Sequence, residues 1–147
     1  ILGVCYGHQL IAWAFQGEVD FHAKGREIGS VPVQLTAAAK EDFLFKELPG
    51  DFFVQVSHQQ SVKGLPVNAV RLASNAFEPN QAYRLGKCTW GIQFHPEFSA
   101  EIIKEYIRER SEAITSEGLD AEVLLNLVQA TPHSVSLLQR FCRLSLS

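Results

Sequence analysis

The amino-acid sequence predicts an α/β protein, a three-layer sandwich around a mainly parallel central sheet. Three observations predict it. The chain opens on a short apolar strand that turns at Gly3-Val4-Cys5-Tyr6-Gly7 directly into a helical pattern. Its middle alternates apolar and polar residues as strands do, and its last third carries helical spacing and helix caps.

Residues 1–4 are apolar and read as the tail of a buried strand. From His8 to Gln16 the chain holds strong helix formers, with Leu10, Ile11, Ala14 and Phe15 on one face and Gly17 as the stop. Strands are predicted over 27–36, 52–58, 69–75, 81–85 and 89–94, the last two flanking a hairpin turn at Gly86-Lys87. A short helix is predicted over 40–48, closed by Pro49-Gly50. Ser99 and Asp120 are placed to cap two helices, and Thr131-Pro132 to start a third. The second bears Val123, Leu124, Leu127 and Val128, and the third Val135, Leu138, Phe141 and Cys142. Segment 111–119 reads as a linker, which divides the chain into 1–110 and a helical extension, 111–147.

The 147 residues suffice for one core, and 46% hydrophobic with 20% charged content argues against disorder. No apolar run reaches the ~20 residues of a membrane helix. A net charge of -3 gives no general attraction to nucleic acid. The one compact basic cluster, His22, Lys24 and Arg26, reads as a solvated loop. Cys5, Cys88 and Cys142 lie far apart with no C-x-x-C pair, which points to a reducing, cytoplasmic setting. Cys5-x-x-His8 has no second pair at ligand spacing, so no metal is expected.

Gly3-Val4-Cys5-Tyr6-Gly7 fits a nucleophile elbow with cysteine in place of serine. The flanking glycines are expected for steric reasons, because strand and helix crowd a strained turn. The helix N-terminus places partial positive charge near the sulfur and favours thiolate, while the Tyr6 N–H is positioned to donate to an oxyanion. The competing reading is a buried structural cysteine between loop glycines. A thiol nucleophile needs a base. His95 ends the strand TWGIQF, Pro96 holds its backbone extended, and Glu97 can fold back onto the imidazole. The competing reading here is a surface histidine beside a solvated glutamate.

GVCYGHQLIA (3–12), VSHQQSV (56–62), PNQAYR (79–84) and GIQFHPE (91–97) occur together and in order. In this combination the chain closely resembles the class I glutamine amidotransferase family, in its GMP synthase-like stand-alone branch. The resemblance covers residues 1–100, with weaker motifs beyond. It implies the flavodoxin-like fold of that family and hydrolysis of the glutamine side-chain amide through a thioester on Cys5. His95 would move the proton and Glu97 would orient it. Gln9 falls on a position that helps hold the substrate, and Ser57-His58 on the segment whose backbone binds its α-amino and carboxylate groups. No cofactor is implied, and the released ammonia goes to an acceptor, for instance on a synthase partner chain. Gly25, Glu27 and Gly29 match a family loop and are read as structural.

Relatives carry further strands and a glycine-containing oxyanion loop before the nucleophile strand, so N-terminal strands are expected to be missing from this chain. Gln59-Gln60 stands where many relatives have Gly-Asp, which changes the shape of the pocket. Two rival functions stay open: a γ-glutamyl peptidase acting on glutathione-like conjugates, and a non-catalytic interaction module.

Overall fold

A computed structural model describes residues 1–146; the last position of the predicted tail, Ser147, lies outside them. Eight strands and five α-helices run in the order β1 (Leu2–Val4), α1 (Tyr6–Ala14), β2 (Glu18–Phe21), β3 (Glu27–Leu35), β4 (Asp51–His58), β5 (Gln60–Gly64), β6 (Val70–Ser74), β7 (Ala82–Leu85), β8 (Thr89–Ile92), α2 (Ala100–Glu109), α3 (Ser111–Ser116), α4 (Ala121–Leu127) and α5 (Pro132–Leu146). The main sheet has strand order β1-β8-β7-β6-β3-β4, and β2 and β5 form a separate antiparallel pair.

The α/β class holds, with a mixed sheet. Only the β1–β8 pair is parallel among the described residues, and the other pairs are antiparallel. For β7 and β8 the connection is the reason, since a tight turn can only return a strand antiparallel. The β7–β8 hairpin turns at Gly86, whose φ of 63° suits a residue without a Cβ.

Successive residues of one strand feed two opposite cores. Ala82 and Ile92 pack with Val33, Val54, Phe94 and Leu137 of α5, while Tyr83 packs on the other side with Ala12 of α1 and Val62. A third cluster joins Ile28 to Ile103, Ile107 and Ile114 of α2 and α3. Each such aliphatic side chain contributes roughly 1.5–3 kcal/mol on full burial. Ser99 caps α2 by accepting from the Ile102 N–H at 3.3 Å, and Asp120 caps α4 through the Glu122 and Val123 N–H groups.

Several expectations change. The helix predicted over 40–48 is a 3-10 turn at Ala37–Glu41 followed by turns, with Asp42 Oδ1 accepting from Leu44 and Phe45 N–H. The predicted linker contains α3, held by buried Ile114. On α1 the buried residues are His8, Gln9 and Ala12, whereas Leu10, Trp13 and Phe15 are exposed. Val123, Leu127 and Val135 are likewise exposed, and Leu137 takes the core position on α5. Gln16, not Gly17, adopts the left-handed backbone after α1, with φ 65°. Gly17 is needed for a close approach instead, since a Cβ there would lie 2.8 Å from Gly64 O. The basic loop is tied down: Arg26 pairs with Glu117, and His22 stacks on Phe77 with centroids 4.0 Å apart.

Candidate active site

The parallel pairing of β1 with β8 places Val4 opposite Ile92, and the Cys5 N–H donates to Ile92 O at 2.8 Å. Both strands end at this level. Cys5 then enters α1 with φ 48° and ψ −99°, a conformation rare for a residue with a Cβ. Beyond β8 the chain bends at Gln93 and Phe94, and the His95 N–H donates to Gln55 O at 2.8 Å on β4. Residues ninety apart in sequence thus meet at neighbouring strand ends.

His95 Nδ1 donates to Glu97 Oε1 over 2.6 Å, which fixes that nitrogen as the protonated one and leaves the other ring edge to Cys5. Burial alone pushes the imidazole down. Hydrogen bonds to the Cys5 thiol and the Glu97 carboxylate outweigh it and raise the ring from 6.5 to about 9. Burial likewise pushes the Glu97 carboxyl up, but the His95 hydrogen bond wins and holds it below the usual range. Phe98 stacks on the His95 ring at 4.1 Å and 8°, with Tyr106 of α2 behind Phe98. The ring is held from the side as well as from its edge.

Of the residues the sequence picks out, the structure brings Cys5, His95 and Glu97 together, and Gln9, Ser57 and His58 around them. Ser57 O lies 3.9 Å from Cys5 Sγ. An open cleft of about 340 Å³ is lined by Cys5, Gln9, Phe21, His58, Gln59 and Gln60. As the first residue of α1, Tyr6 has an N–H with no intrahelical acceptor, while its side chain is exposed and lines a neighbouring cleft. Gln9 is buried, and its Nε2 donates to Gln60 O and Gln93 Oε1. The His58 side chain turns inward: Nδ1 donates to Gln60 O, and Nε2 lies 2.7 Å from buried Glu27.

Glu27 also accepts from Gln81 and Asn75, so it is the hub of a polar network that braces the end of β4. Sequence reading names Glu27 only as part of a structural loop and passes over its partners Asn75 and Gln81, along with Gln93 and Phe98. Alternation in TWGIQFH is a usable signal, since it puts Gln93 and His95 on the face opposite Trp90, Ile92 and Phe94. The steric account of the elbow holds for Gly3, where a Cβ would lie 2.5 Å from Gly7 O. It does not hold for Gly7, where an added Cβ meets nothing within 4 Å. Among the described residues no group of three or more His, Cys, Asp or Glu is placed to hold a metal ion. None of their helices is long and apolar enough to cross a membrane.

Residues 1–112 match the family described as glutamine amidotransferase class-I, and the chain belongs to that family. It is 38% identical over 114 residues to one component of the glutamine-hydrolyzing GMP synthase of Methanococcus aeolicus, a match covering 74% of this chain and 58% of that protein. It is 34% identical over 109 residues to gamma-glutamyl peptidase 4 of Arabidopsis thaliana, covering 73% of this chain and 43% of that protein. Among solved structures, a glutamine amidotransferase from Thermotoga maritima superposes with a TM-score of 0.77 at 27% identity, covering 96% of this chain and 60% of the other. The chain therefore spans about three-fifths of the length of the first and last of these.

Proposed function

We propose that the protein hydrolyses the side-chain amide of glutamine, with Cys5 as nucleophile, His95 as acid–base and Glu97 as its orienter. The observation that carries this reading is the Glu97–His95 hydrogen bond at the strand end beside Cys5, whose sulfur helps to hold the imidazole charged. His95 takes the thiol proton of Cys5, the sulfur attacks the amide carbon, and the carbonyl electron pair moves onto oxygen. The Tyr6 N–H, free of an intrahelical acceptor at the start of α1, donates to that oxyanion in this reading, a contribution typically worth ~2.7–4 kcal/mol. His95 gives its proton to the departing ammonia, leaving a γ-glutamyl thioester. It then takes a proton from the water that attacks the thioester, and the carbon–sulfur electron pair returns to Cys5. Gln9 and the Ser57-His58 backbone bound the space for the glutamine head. The free thiols of Cys5, Cys88 and Cys142 support a reducing, cytoplasmic setting.

The GMP synthase relatives favour a partner chain that accepts the ammonia. The gamma-glutamyl peptidase relative favours a second reading, with the same chemistry on a γ-glutamyl peptide, since both substrates present a γ-glutamyl carbonyl. Parallel assays of ammonia release from glutamine and of amino-acid release from γ-glutamyl peptides separate them. Glutamine turnover that vanishes in Cys5→Ala supports the amidotransferase reading. Cleavage of the peptides with no turnover of glutamine overturns it.

A further inference from the structure

Behind Cys5 lies a buried amide that the reaction described above does not use. Gln93 is fully buried, and its Nε2 donates toward Cys5 Sγ across 3.5 Å. Its Oε1 accepts from Gln9 Nε2 at 3.0 Å, and the same Gln9 nitrogen donates to Gln60 O at 2.9 Å. This chain fixes which way each amide points. A backbone carbonyl can only accept, so Gln9 turns its nitrogen to Gln60 and to Gln93. Gln93 must then turn its oxygen to Gln9, which leaves its N–H for the sulfur.

We infer that Gln93 is a further catalytic residue, whose side-chain N–H supports negative charge on the Cys5 sulfur, with Gln9 as its positioning residue. The inference rests on the thioester reading of Cys5. As attacking group, the sulfur carries that charge before the carbon–sulfur bond forms. As leaving group, it regains the electron pair when water cleaves the thioester. Gln93 donates a hydrogen bond in both states and transfers no proton. Hydrogen bonds to ionised acceptors are roughly twice as strong as neutral ones, and burial removes the competing water. The other titratable groups around the sulfur are His95, with Glu97 behind it, and His58 of β4, paired to Glu27. α1 contributes His8, which packs instead against Tyr83.

The test needs no glutamine, so its failure is distinct from failure of the proposed activity. Iodoacetamide alkylation of Cys5 in the full chain is followed by peptide mass spectrometry from about pH 5 to 10. Gln93→Met keeps the length of the side chain and removes the donor. Its alkylation near pH 6 should slow about ten-fold or more, with the half-maximal point moved upward. Gln93→Glu aims a carboxylate at the sulfur and should move that point further. Gln9→Met, which frees Gln93, should move it less and in the same direction. A folded Gln93→Met with the wild-type profile overturns the assignment. If circular dichroism shows that variant unfolded, wild-type profiles in both Gln93→Glu and Gln9→Met overturn it instead.

Discussion

Cys5 holds φ 48° and ψ −99° because its neighbours leave it no alternative: its N–H is bonded to Ile92 O and its carbonyl accepts from the Gln9 N–H in the first turn of α1. His95, with its pKa raised to about 9, is the group whose titration the site exposes most directly. A raised pKa means that the stabilisation from the charged imidazole is complete below the unfolded value of 6.5 and is lost as pH climbs through about 9. The stability advantage of wild type over His95→Asn should therefore shrink across that window in urea titrations. Glutamine hydrolysis should fall off above about 9 as the proton owed to ammonia is lost.

His8 behaves oppositely. Burial, the largest influence, pushes it down to about 3, and neither ring nitrogen closes a hydrogen bond in standard geometry. The folded protein resists protonation there while the unfolded chain accepts a proton, so stability falls as pH drops below 6.5. His8→Leu removes that loss and should gain on wild type by several kcal/mol between pH 7 and 4, as read by denaturant midpoints. An unchanged difference between the two proteins would contradict this.

At the scale of elements, the elbow is built on one obligatory glycine. Gly3→Ala drives a Cβ to within 2.5 Å of Gly7 O, a backbone atom that cannot swing aside. It should destabilise the protein by about 1–3 kcal/mol or more, whereas Gly7→Ala, with open space and a helical position, should be neutral or stabilising by up to ~1 kcal/mol. Equal losses in thermal melts would refute the distinction. The elbow and its two partner residues were legible because their spacing is local: Cys5 sits between strand and helix, and Glu97 lies two residues past His95. Strands β3, β4, β7 and β8 were legible from alternation. β2 and β5 were not, since EVDF alternates over only four residues and QSVKG does not alternate; they find order by pairing with each other and by packing Val19 and Val62 against Ala12 and Tyr83. The burial of α1 escaped its own periodicity because His8 and Gln9 are held by tertiary contacts, Tyr83 and Gln93, that one helix's pattern does not report.

For the whole molecule, the helical tail is part of the core. Leu137 of α5 packs with Phe52, Val54 and Phe94, and Phe141 meets the Trp90 ring edge-on at 6.3 Å. Glu117, just past α3, pairs with Arg26 and accepts from Gln59 at the lip of the cleft. A chain ending at Arg110 should therefore fail to show a cooperative unfolding transition, and a sharp two-state melt from that fragment would show the tail to be dispensable. The start of α5 at Thr131-Pro132 is visible in the sequence, but α3 and the tail's contacts are not, because pairings over such separations leave no local pattern.

The proposed chemistry turns on which sulfur meets the γ-glutamyl group. Cys88 and Cys142 are exposed and Cys5 is half-buried, so simple accessibility would favour the first two. Brief treatment with a diazo-ketone analogue of glutamine, followed by peptide mapping, should place a single adduct on Cys5, with His95→Asn slowing its formation. Label on Cys88 or Cys142 with Cys5 unmodified would contradict that chemistry.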